Sequence, residues 1–231
     1  MSTTSVSSMQ ARDAWEDSDT LFDFLARQLN QHRLGLVLGA GASMGFGLPK
    51  WDKLVARAFE LSGATRDPRQ SNEDAADSLL THLGRDEAKL VAVVRQALYE
   101  NYDATFERLT KVPLLAAVGA LTMASSRGSV AAVVSFNYDD LLEEYLSFFG
   151  FAIQPVHAVP AWNSSADVTV YHPHGFLPHN AARTASSKVV LAQVHFDQVV
   201  GNETHPWMQL GDVPLAVETR WRFTSIYAAF S

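Results

Sequence analysis

Three short runs of this sequence combine residue types that could do chemistry: Gly39-Ala40-Gly41-Ala42-Ser43, Asn137-Tyr138-Asp139 and His172-Pro173-His174-Gly175. In the first, glycine and alanine let the backbone approach a pyrophosphate closely, and the amides of a tight turn can point at its oxygens. The same small residues equally suit a turn chosen for packing alone. The dinucleotide fingerprint G-x-G-x-x-G is incomplete here, because Met44 stands where the third glycine belongs. In the second run, the Asn137 carboxamide could hold a ribose hydroxyl or a water, and Asp139 adds a carboxylate two residues on. Both are also favoured helix caps, which is the competing reading. In the third, Gly175 permits a sharp turn that would leave His174 at the rim of a cleft, as a general base or a hydrogen-bonding group. Two histidines without acidic or cysteine partners make a poor zinc set, so no metal ligand is expected. His157, His179, His195 and His205 are scattered and read as surface or packing residues.

The elements that must position these runs follow from apolar spacing. Asp17 to His32 carries Leu21, Phe22, Leu25 and Leu29 at helical spacing, which predicts a first helix lying on the core. Leu34 to Leu38 is a short, continuously apolar strand, of the kind buried on both faces of a parallel sheet. The glycines follow it, and Trp51 to Leu61 resumes a helix. Glu60 stands about where such folds place a ribose-binding acid, but inside that helix. Helices are then predicted over about Asp74 to Leu83 and Asp86 to Tyr99 with no strand between them, so 63–109 is read as a small helical insert or lid beside the cleft. The alternative is that these are ordinary outer helices of the same layer. Pro113 to Met123 reads as a helix, Val130 to Ser135 as a strand, Asp140 to Phe149 as a helix, and Val168 to Tyr171 and about Lys188 to Leu191 as strands. Each reactive run thus begins at the carboxyl end of a strand, where open parallel sheets bind their ligands. The fold class is α/β: a Rossmann-like, mostly parallel sheet flanked by helices, occupying 17–231 after a loose tail over 1–16.

Composition narrows the partners. A formal charge of −7 and the lack of any basic run argue against direct nucleic-acid binding, which depends on Lys and Arg at phosphates. No run approaches the ~18 apolar residues of a membrane helix. The chain has no cysteine, which removes disulfides, thiol nucleophiles and Cys-ligated zinc, and a reduced, cytoplasmic setting is expected.

Taken together, the three runs resemble the sirtuin-like superfamily. Its first block is G-A-G-x-S followed after three residues by Gly-Ile-Pro-x-Phe, and here Gly39-Ala40-Gly41-Ala42-Ser43 precedes Gly47-Leu48-Pro49-Lys50-Trp51 at the same spacing. Its second block, Asn-x-Asp, is similar to Asn137-Tyr138-Asp139, and its His-Gly is similar to His174-Gly175. The absent zinc cysteines, Asp52 in place of the family's arginine and Ser135-Phe136 in place of its Thr-Gln depart from the protein deacylases. "FNYDDLLEEYL" and "LPKWDKLV" look more like the bacterial sirtuin-like NAD hydrolases of antiphage defence. The resemblance implies that Gly39 to Ser43, with Gly47, Pro49 and Trp51, cradle NAD. It also implies that Asn137, with Asp139, works at the nicotinamide ribose and that His174, beside Gly175, acts next to it. NAD would be a consumed substrate, with no zinc required. The implied activity is NAD+ glycohydrolysis, with ADP-ribosyl transfer or deacylation, or binding without turnover, as alternatives. The implied partners are NAD, a fused or separate sensor protein, and a second copy of the chain. The family's late Gly-x-Ser-x-x-Asp-x-Asn turn has no counterpart, so a truncated or divergent end is expected after about 210.

Overall fold

The computed structural model describes residues 18–102, 105–124, 130, 132–158, 165–202 and 205–207. Its centre is a four-stranded, all-parallel sheet of β1 (Gly35–Leu38), β2 (Ala132–Ser135), β3 (Ile153–Val156) and β4 (Val168–Tyr171), in the order β1-β2-β4-β3. Around it lie α1 (Ser18–Asn30), α2 (Trp51–Ser62), α3 (Asn72–His82), α4 (Glu87–Tyr99), α5 (Phe106–Thr110), α6 (Pro113–Met123), α7 (Leu141–Phe148) and α8 (Gln193–Val200). This is an α/β, Rossmann-like arrangement.

Successive strand residues point to opposite faces, and both faces of β2 are covered. Val133 and, from β4, Val168 and Val170 face the larger core with α2, α3, α4 and α7. Val134 faces a second cluster with Phe136, Val156 and Val199 of α8. β2 is accordingly buried along its whole length. β1 is only half-buried, against the expectation of a strand buried on both faces, because it borders just one of the described strands. Pro155, which has no N–H to donate, sits in β3 at the opposite edge, where a sheet tolerates it.

Two further expectations are corrected. The first helix exists, but none of its side chains is fully buried: Phe22 is 66% exposed and contact with the core comes from partly buried residues such as Leu29. Lys188 to Leu191 is not a strand. Its backbone is drawn instead to the turn after β4: Val190 N–H donates to the His174 carbonyl at 2.7 Å, and the Val190 carbonyl accepts from the Tyr138 hydroxyl at 2.7 Å. Between α2 and β2 no strand intervenes in the described residues, and α3 and α4 pack on α2 through Ala75, Leu79, Leu90 and Val94. The expected tail over 1–16 and the divergent end after about 210 lie outside the described residues.

Candidate active site

The order of the sheet brings the three reactive runs together. β2 lies between β1 and β4, with Leu38 opposite Ser135 and Val134 opposite Tyr171, so the three chains leave the sheet at nearly the same level. Beyond their carboxyl ends lies a cleft of about 450 Å³, within the range of small-molecule sites. Gly39, Ala40, Ser43, Pro49, Trp51, Asn137, Asp139 and His174 all line it. Gly41, Ala42, Gly47 and Gly175 do not, and two of these glycines shape the turns instead. Gly47 holds a left-handed backbone (φ 78°) where the loop redirects into Pro49 and α2. Gly175 has φ 104°, and a Cβ there would meet the Lys188 carbonyl at 2.8 Å. Glu60 stays outside the cleft, paired with Arg57.

The glycine run folds as two short 3-10 turns, Ala40–Ala42 and Met44–Phe46. Ala42 and Ser43 donate their N–H groups to the Gly39 and Ala40 carbonyls at 2.9 and 3.1 Å. The amides at the start of such a turn have no partner within it, and of the first two, Ala40 and Gly41, it is Ala40 that lines the cleft as a donor for an anion. Among the described residues no lysine or arginine lines the cleft, whereas Glu73, Asp139 and Asp197 do. Negative charge on a ligand there can be met by backbone amides and by neutral side-chain donors.

Asn137 does not cap the next helix. Its Nδ2 donates to the Gly39 carbonyl and to Ser43 Oγ, both at 2.9 Å, and Ser43 Oγ donates in turn to Asp139 Oδ2 at 2.7 Å. With both amide protons engaged, Oδ1 is the atom of Asn137 that can accept from a substrate. Asp139 is not the N-cap of α7, which is Asp140, but its Oδ1 accepts from Leu141 N–H at the start of that helix while Oδ2 belongs to the cleft network. Burial pushes the Asp139 carboxyl up to about 6, against the opposing pull of its Ser43 and Leu141 hydrogen bonds. His174 is pushed down to about 4, chiefly by burial, with a hydrogen bond to the Phe136 backbone acting the other way. The ring is neutral at pH 7 and able to take a proton.

The opposite wall is aromatic. Phe196 of α8 stands 5.9 Å from Trp51 and 5.4 Å from His174, and His174 is 4.8 Å from Phe136, all between ring centroids. Trp51 Nε1 is buried without a hydrogen-bond partner among the described residues, a donor that a ligand acceptor would satisfy. Gln193, Phe196 and Asp197 were missed in the sequence, although their i, i+3, i+4 spacing is the one that places residues on one helix face. His195, expected as a surface or packing residue, is a packing one: it is 5% exposed and joins α8 to α4 through Glu87 Oε1 at 3.1 Å. A second cross-link runs from Val194 N–H to Asp77 of α3 at 3.3 Å.

Among the described residues, no cluster of three or more His, Asp or Glu side chains could hold a metal ion, and no helix is long and apolar enough to cross a membrane. No curated protein matches the chain. A family model described as SIR2-like domain matches residues 131–215. That span carries Asn137, Asp139, His174, Gly175 and the Gln193–Val200 helix, while the glycine run at Gly39 to Ser43 lies before it. The match supports a place in the sirtuin-like superfamily for the half of the cleft that holds Asn137 and His174, and with it NAD-related chemistry.

Proposed function

We propose that this chain is an NAD+ glycohydrolase that cleaves NAD+ to nicotinamide and ADP-ribose, acting as an NAD-depleting effector in antiphage defence. The observation that carries this reading is the meeting of the Asn137 carboxamide and the neutral His174 ring in one cleft with the glycine run. The Ala40 amide, at the cleft end of the glycine run, meets the pyrophosphate, and the Trp51 and Phe196 rings enclose the nicotinamide end. Breaking the glycosidic bond sends its electron pair to nicotinamide, which leaves neutral, and builds positive charge on the ribose. Asn137 Oδ1 positions a water or a ribose hydroxyl. The water oxygen bonds to the ribose carbon, and its proton passes to His174. Asp139, ionised above about pH 6, supplies negative charge close to the developing cation. A sensor module, fused or separate, and self-association would control such an effector.

Purified protein incubated with NAD+, with His174→Ala and Asn137→Ala beside it, tests the reading through release of nicotinamide and ADP-ribose. Turnover unaffected by either substitution removes the site assignment. One observation favours a second reading, binding of NAD or ADP-ribose without turnover: both Asn137 amide protons are already committed within the protein. A raised melting temperature with intact NAD would select it. ADP-ribose transferred to an acceptor protein, seen as a mass shift, would select transfer over hydrolysis.

A further inference from the structure

One layer below the cleft, His172 and Glu143 face each other with side chains 0% and 1% exposed. Neither lines the cleft. His172 Nε2 is 2.7 Å from Glu143 Oε1, and Nδ1 is 3.1 Å from the backbone carbonyl of Asn137. A carbonyl and an ionised carboxylate both accept only, so the ring satisfies both when each nitrogen carries a proton. Burial alone would lower the pKa of His172, but the charge and hydrogen bond of Glu143, the Asn137 carbonyl and the charge of Asp139 outweigh it and raise the value.

The energetics argue against a purely structural purpose. Desolvating two charges costs about as much as their attraction returns, and well-packed apolar residues of the same volume often serve a fold as well or better. What an apolar pair cannot do is donate to the Asn137 carbonyl. The turn over Asn137 to Asp140 joins β2 to α7. Glu143 comes from the first turn of α7 and His172 from the residue after β4, so the pair grips this turn from two elements.

We propose that His172 and Glu143 form a buried positioning pair, which holds the Asn137 backbone and thereby sets where its carboxamide meets the substrate. The proposal deepens the hydrolase reading and rests on it for its kinetic consequence. Neither residue touches substrate, so the effect falls on kcat and spares affinity. An asparagine amide nitrogen falls close to where His172 Nδ1 stands, whereas a glutamine reaches toward the Nε2 position. Replacing Glu143 by Gln in the same protein leaves no unpaired charge.

The test therefore compares Glu143→Gln/His172→Asn with Glu143→Gln/His172→Gln. It measures kcat for NAD+ cleavage, calorimetric affinity for ADP-ribose, and the NMR signal of the Asn137 carboxamide in ligand-free protein, identified by its loss in Asn137→Ala. Glu143→Gln/His172→Asn is expected to keep the Asn137 signal and most of kcat. Glu143→Gln/His172→Gln is expected to shift that signal and lower kcat by about 10- to 100-fold, with ADP-ribose affinity little changed. Equal kcat and equal Asn137 signals in the two double variants would overturn the proposal, as would losses that track melting temperature and not the Asn or Gln identity. Should a double variant fail to fold, Glu143→Gln alone, which keeps the His172 Nδ1 donor to the Asn137 carbonyl, is expected to keep the Asn137 signal and most of kcat, and loss of both in a folded protein would overturn the proposal. A wild-type protein that leaves NAD+ intact contradicts the hydrolase reading, and the Asn137 signal then decides the positioning on its own.

Discussion

The floor and the wall of the cleft are built on opposite physical terms. The floor is a closed hydrogen-bond network in which Asn137, Ser43, Asp139 and Gly39 satisfy one another, underlaid by His172 and Glu143. The wall is a set of rings, Trp51, Phe136, His174 and Phe196, in tilted and edge contacts, with one indole N–H left for a ligand. A satisfied polar network holds its geometry, because moving one member strands the others in a low-dielectric site. Ring contacts are softer and less directional, and they hold a planar ligand mainly through buried area. On the hydrolase reading proposed above, this division assigns the rate to the floor and the affinity to the wall.

Breaking each side separately sharpens the division. His174→Ala, at the junction of the two, removes the proposed proton acceptor and should lower kcat by about 10²- to 10⁴-fold, the usual range for a general base. A loss confined to KM would move His174 to the binding wall. The pH profile addresses the floor. With Asp139 near 6 and His174 near 4, cleavage should be flat above about pH 6 and fall with acidification, by about tenfold per pH unit when one ionisation governs the rate. Rates constant down to pH 5 would remove Asp139 from the chemistry.

Phe196→Leu, on the wall, should raise KM by about 2- to 10-fold, matching the ~0.5–1.5 kcal/mol of an aromatic pair, while kcat holds. The smallest expected effect is on stability. The folded pKa of Asp139 lies above its unfolded value, so its contribution is favourable below the unfolded value and is lost as pH rises through about 6. Measured against Asp139→Asn, the wild type should therefore gain melting temperature as pH falls from 7 toward 4. A gap that does not change with pH would show that the carboxyl is not penalised by its burial.

The floor was legible in the sequence and the wall was not, for physical reasons. Gly39, Asn137 and His174 are polar or small residues that end apolar strands, and strand ends in a parallel sheet converge. α8 escaped notice because "LAQVHFDQVV" mixes three valines with polar residues over barely two turns, too short for helical periodicity to declare itself. Its neighbour Lys188–Leu191 read as a strand for the same apolar content, yet its backbone partners lie in the turn after β4. Glu143 was hidden differently. A glutamate in "LLEEYL" looks solvent-facing, and only the packing of α7 against the sheet turns it inward to His172. The competing cap readings at Asn137 and Asp139 could be resolved only by side-chain geometry: Asp140 stands at the N-cap, Asp139 bonds both Leu141 N–H and Ser43, and the Asn137 carboxamide bonds only the glycine run.

The central claim is that Asn137 and His174 act together on a bound NAD+ whose glycosidic bond is cut. The measurement that tests it most directly is the time course of nicotinamide and ADP-ribose release from NAD+ by the wild type, Asn137→Ala and His174→Ala at pH 7. The account predicts equal amounts of the two products from the wild type and strongly reduced release from each variant, with ADP-ribose still bound by both. NAD+ left intact by a wild type that binds it, or release undiminished in both variants, would contradict it.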